Sequence, residues 1–164
     1  MDSDLPAELG TRDGPRRVRR AVRDDVPALV ALLADDVLGA ARESADLAPY
    51  ERAFAAVDAD PAHLLVVAEV DGEVVGTLQL TVLPGLSRQG ALRAQVEGVR
   101  VAAAHRSSGL GGALVTWAAD EARRRGCVLL QLTTDARRAD AHRFYERLGF
   151  ERSHLGFKLP LDQA

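Results

Sequence analysis

Residues 94–113 read AQVEGVRVAAAHRSSGLGGA. An extended apolar run ends at Val101, a short polar crossing follows, and Arg106-Ser107-Ser108-Gly109-Leu110-Gly111-Gly112 opens a long run of helix formers. Strand, glycine-rich turn and helix start leave several backbone N–H groups aimed at one anion. The first amides of a helix have no partners inside it, and the peptide dipoles add roughly half a positive charge there. A phosphate or pyrophosphate fits such an end without a basic side chain. A glycine-rich turn can also be a mere connector. Three glycines within four residues, beside Arg106 and Ser107-Ser108, favour anion binding.

The strand before the turn carries a second signal. Val99 and Val101 are two apart, but Val96 and Val99 are three apart. A half-buried strand keeps its face only by alternating, so the slip at Glu97-Gly98 predicts an extra residue, a β-bulge. A bulged strand peels from its neighbour and offers backbone groups with which a ligand can pair. A cleft beside this strand, leading to the turn, is therefore expected.

Working outward, Met1–Pro15 lacks periodicity and reads as a flexible tail, leaving residues 16–164 as one domain. Arg16–Arg23 reads as a short strand with Val18 and Val22 inward, its arginines suiting a sheet edge. Asp24-Asp25 before Pro27 starts a helix with the stripe Val26, Leu29, Val30, Leu33, Val37 and Ala40. A second helix spans Ala48–Val57 with Tyr50, Phe54 and Val57 on its apolar side. Strands Leu64–Val70 and Val74–Leu83 flank Asp71-Gly72, a hairpin turn. After the loop of residues 83–90 comes the bulged strand, then a helix from Gly109 to Arg125 burying Leu110, Leu114, Trp117, Ala118 and Ala122. Val128–Thr134 reads as a central strand, Asp140–Leu148 as a helix ended by Gly149, and Phe150–Leu161 as one or two final strands. The order is that of a mixed α/β sheet flanked by helices.

With 164 residues, 47% hydrophobic and 27% charged, the chain fits a globular domain, and a net charge of −3 gives no basic footprint for nucleic acid. No apolar run spans a bilayer and no signal-peptide core is present, so a cytoplasmic protein without membrane partners is expected. Cys127 is the sole cysteine, which fits a reducing compartment. His63, His105, His142 and His154 lack metal-ligand spacing, so no metal is expected.

Two other phosphate motifs fail. A P-loop needs Lys-Ser/Thr after its glycines, and Gly111-Gly112-Ala113-Leu114 has neither. A dinucleotide fingerprint needs a third glycine where Leu114 stands. Arg106-x-x-Gly109-x-Gly111-x-Ala113 after a Val-x-Val strand instead resembles the acyl-CoA-binding motif of the GNAT N-acetyltransferase superfamily. Ala141-His142-Arg143-Phe144-Tyr145-Glu146-Arg147-Leu148-Gly149-Phe150 resembles that superfamily's last block, in the same order. The match covers roughly the second half of the chain. The resemblance implies a mostly antiparallel sheet with a splayed central strand pair, and acetyl-CoA as cosubstrate.

It also implies the site residues. Val99 and Val101 would meet the cofactor arm through their backbone. Arg106, Ser107, Ser108, Gly109, Leu110, Gly111, Gly112 and Ala113 would hold its pyrophosphate, and Ala141, Phe144 and Tyr145 would line it. The Tyr145 hydroxyl would protonate the departing thiolate, and the Val99 N–H would hydrogen-bond the thioester carbonyl. Arg138 stands where the superfamily often has Asn, so it reads either as a phosphate contact or as a solvent residue.

An alkylammonium has a pKa of about 10.4 and must lose a proton before attacking a thioester. Glu97, at the bulge, is a candidate base or an exposed edge carboxylate; Glu43 and Asp46 are alternatives. The expected function is acetyl transfer to a primary amine of a small molecule. A non-catalytic acyl-CoA sensor and a protein or peptide N-acetyltransferase are the alternatives. An exposed final strand would allow a homodimer.

Overall fold

The computed structural model describes residues 5–35 and 42–161. Two compact units divide the chain, Met1–Gln131 and Leu132–Ala164. In the first unit, strands β1 (Ala7–Thr11) and β2 (Gly14–Arg20) form a hairpin and lead into helices α1 (Val26–Ala34) and α2 (Ala48–Ala59). Strands β3 (His63–Val70) and β4 (Glu73–Leu83), a one-turn element α3 (Ser87–Gly90), β5 (Arg93–Val101), α4 (Leu110–Arg124) and β6 (Leu129–Leu132) follow. The sheet runs in the order β1-β2-β3-β4-β5-β6, and the pairs from β1 to β5 are antiparallel. The second unit contributes α5 (Ala139–Arg147). The mixed, mostly antiparallel fold class read from the sequence is the one observed.

The core lies where alternation predicts. Val18, Leu64, Val66, Leu78 and Leu80 are fully buried on the sheet, and α4 buries Leu110, Leu114, Trp117, Ala118 and Ala122. Gly76 lets this helix settle close. A Cβ there would stand 3.3 Å from the Arg100 carbonyl oxygen and from the side chains of Leu110 and Leu114. Asp71 and Gly72 both take left-handed angles, φ 51° and 83°, which match the twist of the β3–β4 hairpin they join.

Several expectations are corrected. Ala7–Thr11 is not a loose tail but strand β1, paired along its length with Gly14–Val18 and burying Leu9. With β1 outside it, β2 is an interior strand and not an edge, and one of its arginines pairs across the sheet. Arg19 bridges Asp25 and Glu69, both at 2.6 Å. Val22 is exposed, since the strand ends at Arg20. On α1, Leu32 is buried where Leu33 was expected, while Val37 and Ala40 lie outside the described residues. The strand expected at the centre over residues 128–134 is four residues long and stands last in the sheet of the described residues. Residues 150–161 form no strand.

Candidate functional site

The bulge forms where the alternation slips. Gln79 pairs with Glu97 and Thr77 with Arg100, so Gly98 and Val99 together face Leu78. Gly98 holds φ 61°, a left-handed angle that a glycine adopts without strain and that kinks the strand. Val96 is buried before the kink; Val99 and Val101 are half-buried after it. The Val99 carbonyl accepts from Arg100 Nη1 at 2.9 Å, and the Val101 carbonyl from Arg106 Nε at 3.1 Å.

Past Val101 the chain leaves the sheet through a 3-10 turn over Ala103–His105. Ser107 and Gly109 then take left-handed angles, φ 66° and 90°, reversing the chain into α4. Ser108 is buried: its hydroxyl donates to the His105 carbonyl at 2.7 Å and accepts the Leu110 N–H at 3.3 Å. The first bond of the helical ladder runs from Ala113 N to the Gly109 carbonyl. The amides of Gly111 and Gly112 precede it and sit at the positive end of the helix. These two amides lie in the first turn of α4, ahead of its ladder; Ser108 is the internal brace of the loop before them.

Two residues that the sequence reading missed hold this turn. Asp35, at the end of α1, accepts from Arg106 Nη2 at 2.9 Å and from the Ala103 N–H at 3.0 Å. Arg106 is therefore tied to a carboxylate and to the strand end, and its charge is partly offset. Arg12, in the β1–β2 turn, donates its backbone N–H to the Ser108 carbonyl at 2.9 Å. Its exposed side chain runs beside Gly109, where a Cβ would lie 4.0 Å from Arg12 Cγ. Asp35 and Arg106 are 71 residues apart, and no local pattern links them.

Glu97 is exposed and accepts from Gln95 Nε2, while Gln95 Oε1 accepts from Gln131 Nε2 at 2.9 Å. The polar Gln131 of β6 thus orients a side chain that in turn orients the carboxylate. Of the alternative acids, Asp46 accepts the Ala48 N–H at the start of α2. Glu43 accepts from the Tyr50 hydroxyl at 2.7 Å, which raises the affinity of that phenol for its proton. The half-buried Cys127 thiol is pushed up by burial, unlike a reactive thiolate.

In the second unit, Arg138 precedes α5 and is exposed, as are Ala139 and Asp140. The His142 ring meets the Asp135 carbonyl at 3.0 Å, tying the helix to the preceding loop. Ala141, Phe144 and Tyr145 are half-buried. Tyr145 packs edge-on against Phe144, with ring centroids 4.9 Å apart, and against Phe150 at 5.7 Å. Gly149, with φ 88°, ends the helix, and the Phe150 N–H returns to the Tyr145 carbonyl at 3.1 Å. The phenol ring is thus clamped between two aromatic neighbours from its own stretch of chain.

Among the described residues no three His, Cys, Asp or Glu side chains cluster as metal ligands, and no helix is long and apolar enough to cross a membrane.

Comparison with known proteins agrees with this arrangement. The model of the acetyltransferase (GNAT) family matches residues 23–150, which spans both units. An aminoalkylphosphonate N-acetyltransferase of Salmonella typhimurium is 31% identical over 140 residues, 85% of this chain and 88% of that protein. A glucosamine 6-phosphate N-acetyltransferase of Trypanosoma brucei brucei is 31% identical over 90 residues, 55% of this chain and 59% of that protein. The crystal structure of a transcriptional regulator from Bacillus halodurans shares 47% identity at a TM-score of 0.85, covering 88% of this chain and 98% of that one. Bulged strand, glycine turn and aromatic final helix together with these matches lead to one conclusion: the chain belongs to the GNAT acetyltransferase family and is an acyltransferase.

Proposed function

We propose that the chain, with β1 as part of its catalytic fold, moves an acetyl group from acetyl-CoA directly to the primary amine of a small molecule. The observation that carries this is the pair of open amides at Gly111 and Gly112, one turn beyond a bulged strand. The donor set fits the cosubstrate: two helix-end amides and the nearby Arg12 and Arg106 suit a pyrophosphate. The Val99 and Val101 carbonyls each keep a second lone pair for an amide arm. Ser107, Gly109, Leu110 and Ala113 shape this cradle, and Ala141, Phe144 and, through its charge, Arg138 are assigned to the same ligand.

Acetyl-CoA supplies an activated acyl group with a thiolate as leaving group. The residues then divide the work. Glu97, directly or through water, takes the proton of the incoming ammonium, leaving a nucleophilic lone pair. The Val99 N–H donates to the carbonyl oxygen as it gains negative charge, an effect worth roughly 3 kcal/mol in comparable oxyanion sites. A C–N bond forms, the C–S bond breaks, and Tyr145 gives its proton to the departing sulfur. Both relatives are named for amines that carry a phosphorus oxyanion, so we assign an acceptor of that class.

Thiol release from acetyl-CoA, measured across aminoalkylphosphonates, hexosamine phosphates, polyamines and amino acids, tests the reading. Tyr145→Phe is expected to lower kcat roughly 10²-fold with little change in KM. A rate unchanged in Tyr145→Phe and Glu97→Gln would remove both assignments. A second reading, CoA binding that serves regulation without turnover, is favoured by the name of the 47%-identical Bacillus protein. Heat of acetyl-CoA binding with no thiol released from any amine would select it.

A further inference from the structure

Ahead of its bulge, β5 alternates strictly. Ala94 and Val96 are buried, so Arg93, Gln95 and Glu97 share the opposite face of the sheet. Leu83, Thr81 and Gln79 of β4 stand opposite these three in turn. His63 of β3 pairs with Thr81, and its ring nitrogen lies 2.9 Å from the Thr81 hydroxyl. The neighbouring Leu65 and Val67 pack with the side chains of α1 and α2. One face of the sheet thus joins an apolar part under the helices to a half-buried polar strip that ends at Glu97.

Within the strip a carboxylate can only accept, so Gln95 gives its amide N–H to Glu97 and its carbonyl accepts from Gln131. Gln95 is engaged at both ends. Arg93 is not. It is half-buried, yet among the described residues its guanidinium makes no hydrogen bond or ion pair, whereas Arg19 of β2 is held by two carboxylates. A cation placed this way is matched by an anion from outside the chain. Gly85 leaves room beside it: Arg93 Nη2 lies 4.0 Å from the point where a Cβ would stand.

We propose that Arg93 binds the phosphorus oxyanion of the acceptor, which lies along this face of β5 with its amine at Glu97. The inference rests on the reading of Glu97 as the group that meets the incoming amine. Four residues of strand set the two Cα atoms about 13 Å apart. Arginine and glutamate side chains can close much of that span from its two ends, and the remainder suits an amine joined to its oxyanion by a short chain. Cation, amide and anion in that order complement an ammonium–oxyanion zwitterion in one direction only, since the reverse sets like charges together. The guanidinium fork also presents two N–H donors to two oxygens of a phosphonate or phosphate.

Thiol release is measured with 2-aminoethylphosphonate, glucosamine 6-phosphate, β-alanine and propylamine as acceptors. Arg93→Ala is expected to raise KM for the two phosphorus acceptors roughly 10- to 100-fold, with KM for acetyl-CoA unchanged. Propylamine, which has no anion, should suffer far less, and Arg93→Lys should recover part of the loss. Arg93→Glu should turn the preference toward a diamine. An unaltered KM for the phosphorus acceptors, an equal loss with propylamine, or a native preference for β-alanine would each overturn the proposal and leave acetyl transfer standing. Should the native protein release thiol with no amine, calorimetry of 2-aminoethylphosphonate binding to the CoA-loaded protein decides. Heat that vanishes in Arg93→Ala would keep the oxyanion site and remove turnover. Heat that is absent from the native protein, or unaltered in the variant, would overturn the site.

Discussion

Every buried side chain among the described residues lies between Leu9 and Ala122, whereas none from Leu132 to Leu161 is buried. The two units are thus stabilised differently. In the first, the glycine turn rests on a closed core: Ser108 is buried, and Leu110 and Leu114 lie against Gly76. In the second, Tyr145 is held by rings from its own neighbourhood and by the turn at Gly149. An anion cradle needs fixed amide directions, which a packed core supplies. A single hydroxyl needs only a defined rotamer, which two aromatic edges supply.

The contrast is open to measurement. Leu114→Ala removes a fully buried side chain and is expected to cost about 3 kcal/mol in urea unfolding. Phe144→Ala, at a half-buried position, is expected to cost less than half of that. Equal losses would erase the distinction between the units.

A smaller effect follows from charge. The Arg19 guanidinium beside it, with help from the Val22 N–H, holds the Asp25 carboxyl below the usual carboxylate range against the opposing effect of burial. Burial pushes the Glu121 carboxyl up, but Arg125 and Arg124 together pull it lower still. A carboxyl whose folded value is depressed stabilises the fold fully above its unfolded pKa, about 4, and that contribution is lost as pH falls through the folded value. Stability of the native protein should therefore decline as pH drops below about 4. Asp25→Asn should cost about 2 kcal/mol at pH 7 and flatten the acid limb. An unchanged acid limb in that variant would assign the acid sensitivity elsewhere.

The smallest effect compares one local rule in both units. Gly98 and Gly149 hold φ 61° and 88°, and a Cβ at either would meet open space. Replacing either by Ala should cost about 1 kcal/mol through backbone strain alone. If Gly149→Ala costs far less than Gly98→Ala in hydrogen-exchange stability, the second unit opens independently of the sheet.

What was legible in advance was local. The three-residue step from Val96 to Val99 is the bulge opposite Leu78, and Asp71-Gly72 is the tight turn. The apolar stripe of α4 is buried residue for residue. β1 was not legible, because a five-residue strand with one buried side chain draws its stability from pairing with β2, not from its own pattern. The apolar alternation over residues 150–161 was legible as a strand pattern, yet no strand forms there.

Read alone, the sequence determined the strand–turn–helix unit, the bulge and the family resemblance. The first two depend on residues within one or two turns of each other, and the resemblance on two short blocks of that kind, where periodicity and left-handed glycine angles act directly on the backbone. The tertiary structure alone decided that Asp35 restrains Arg106, that Arg12 braces Ser108, and that β6 stands last among the described strands. Those facts depend on which distant backbone arrives alongside, and that is settled by the burial of the whole core, not by any single stretch of chain.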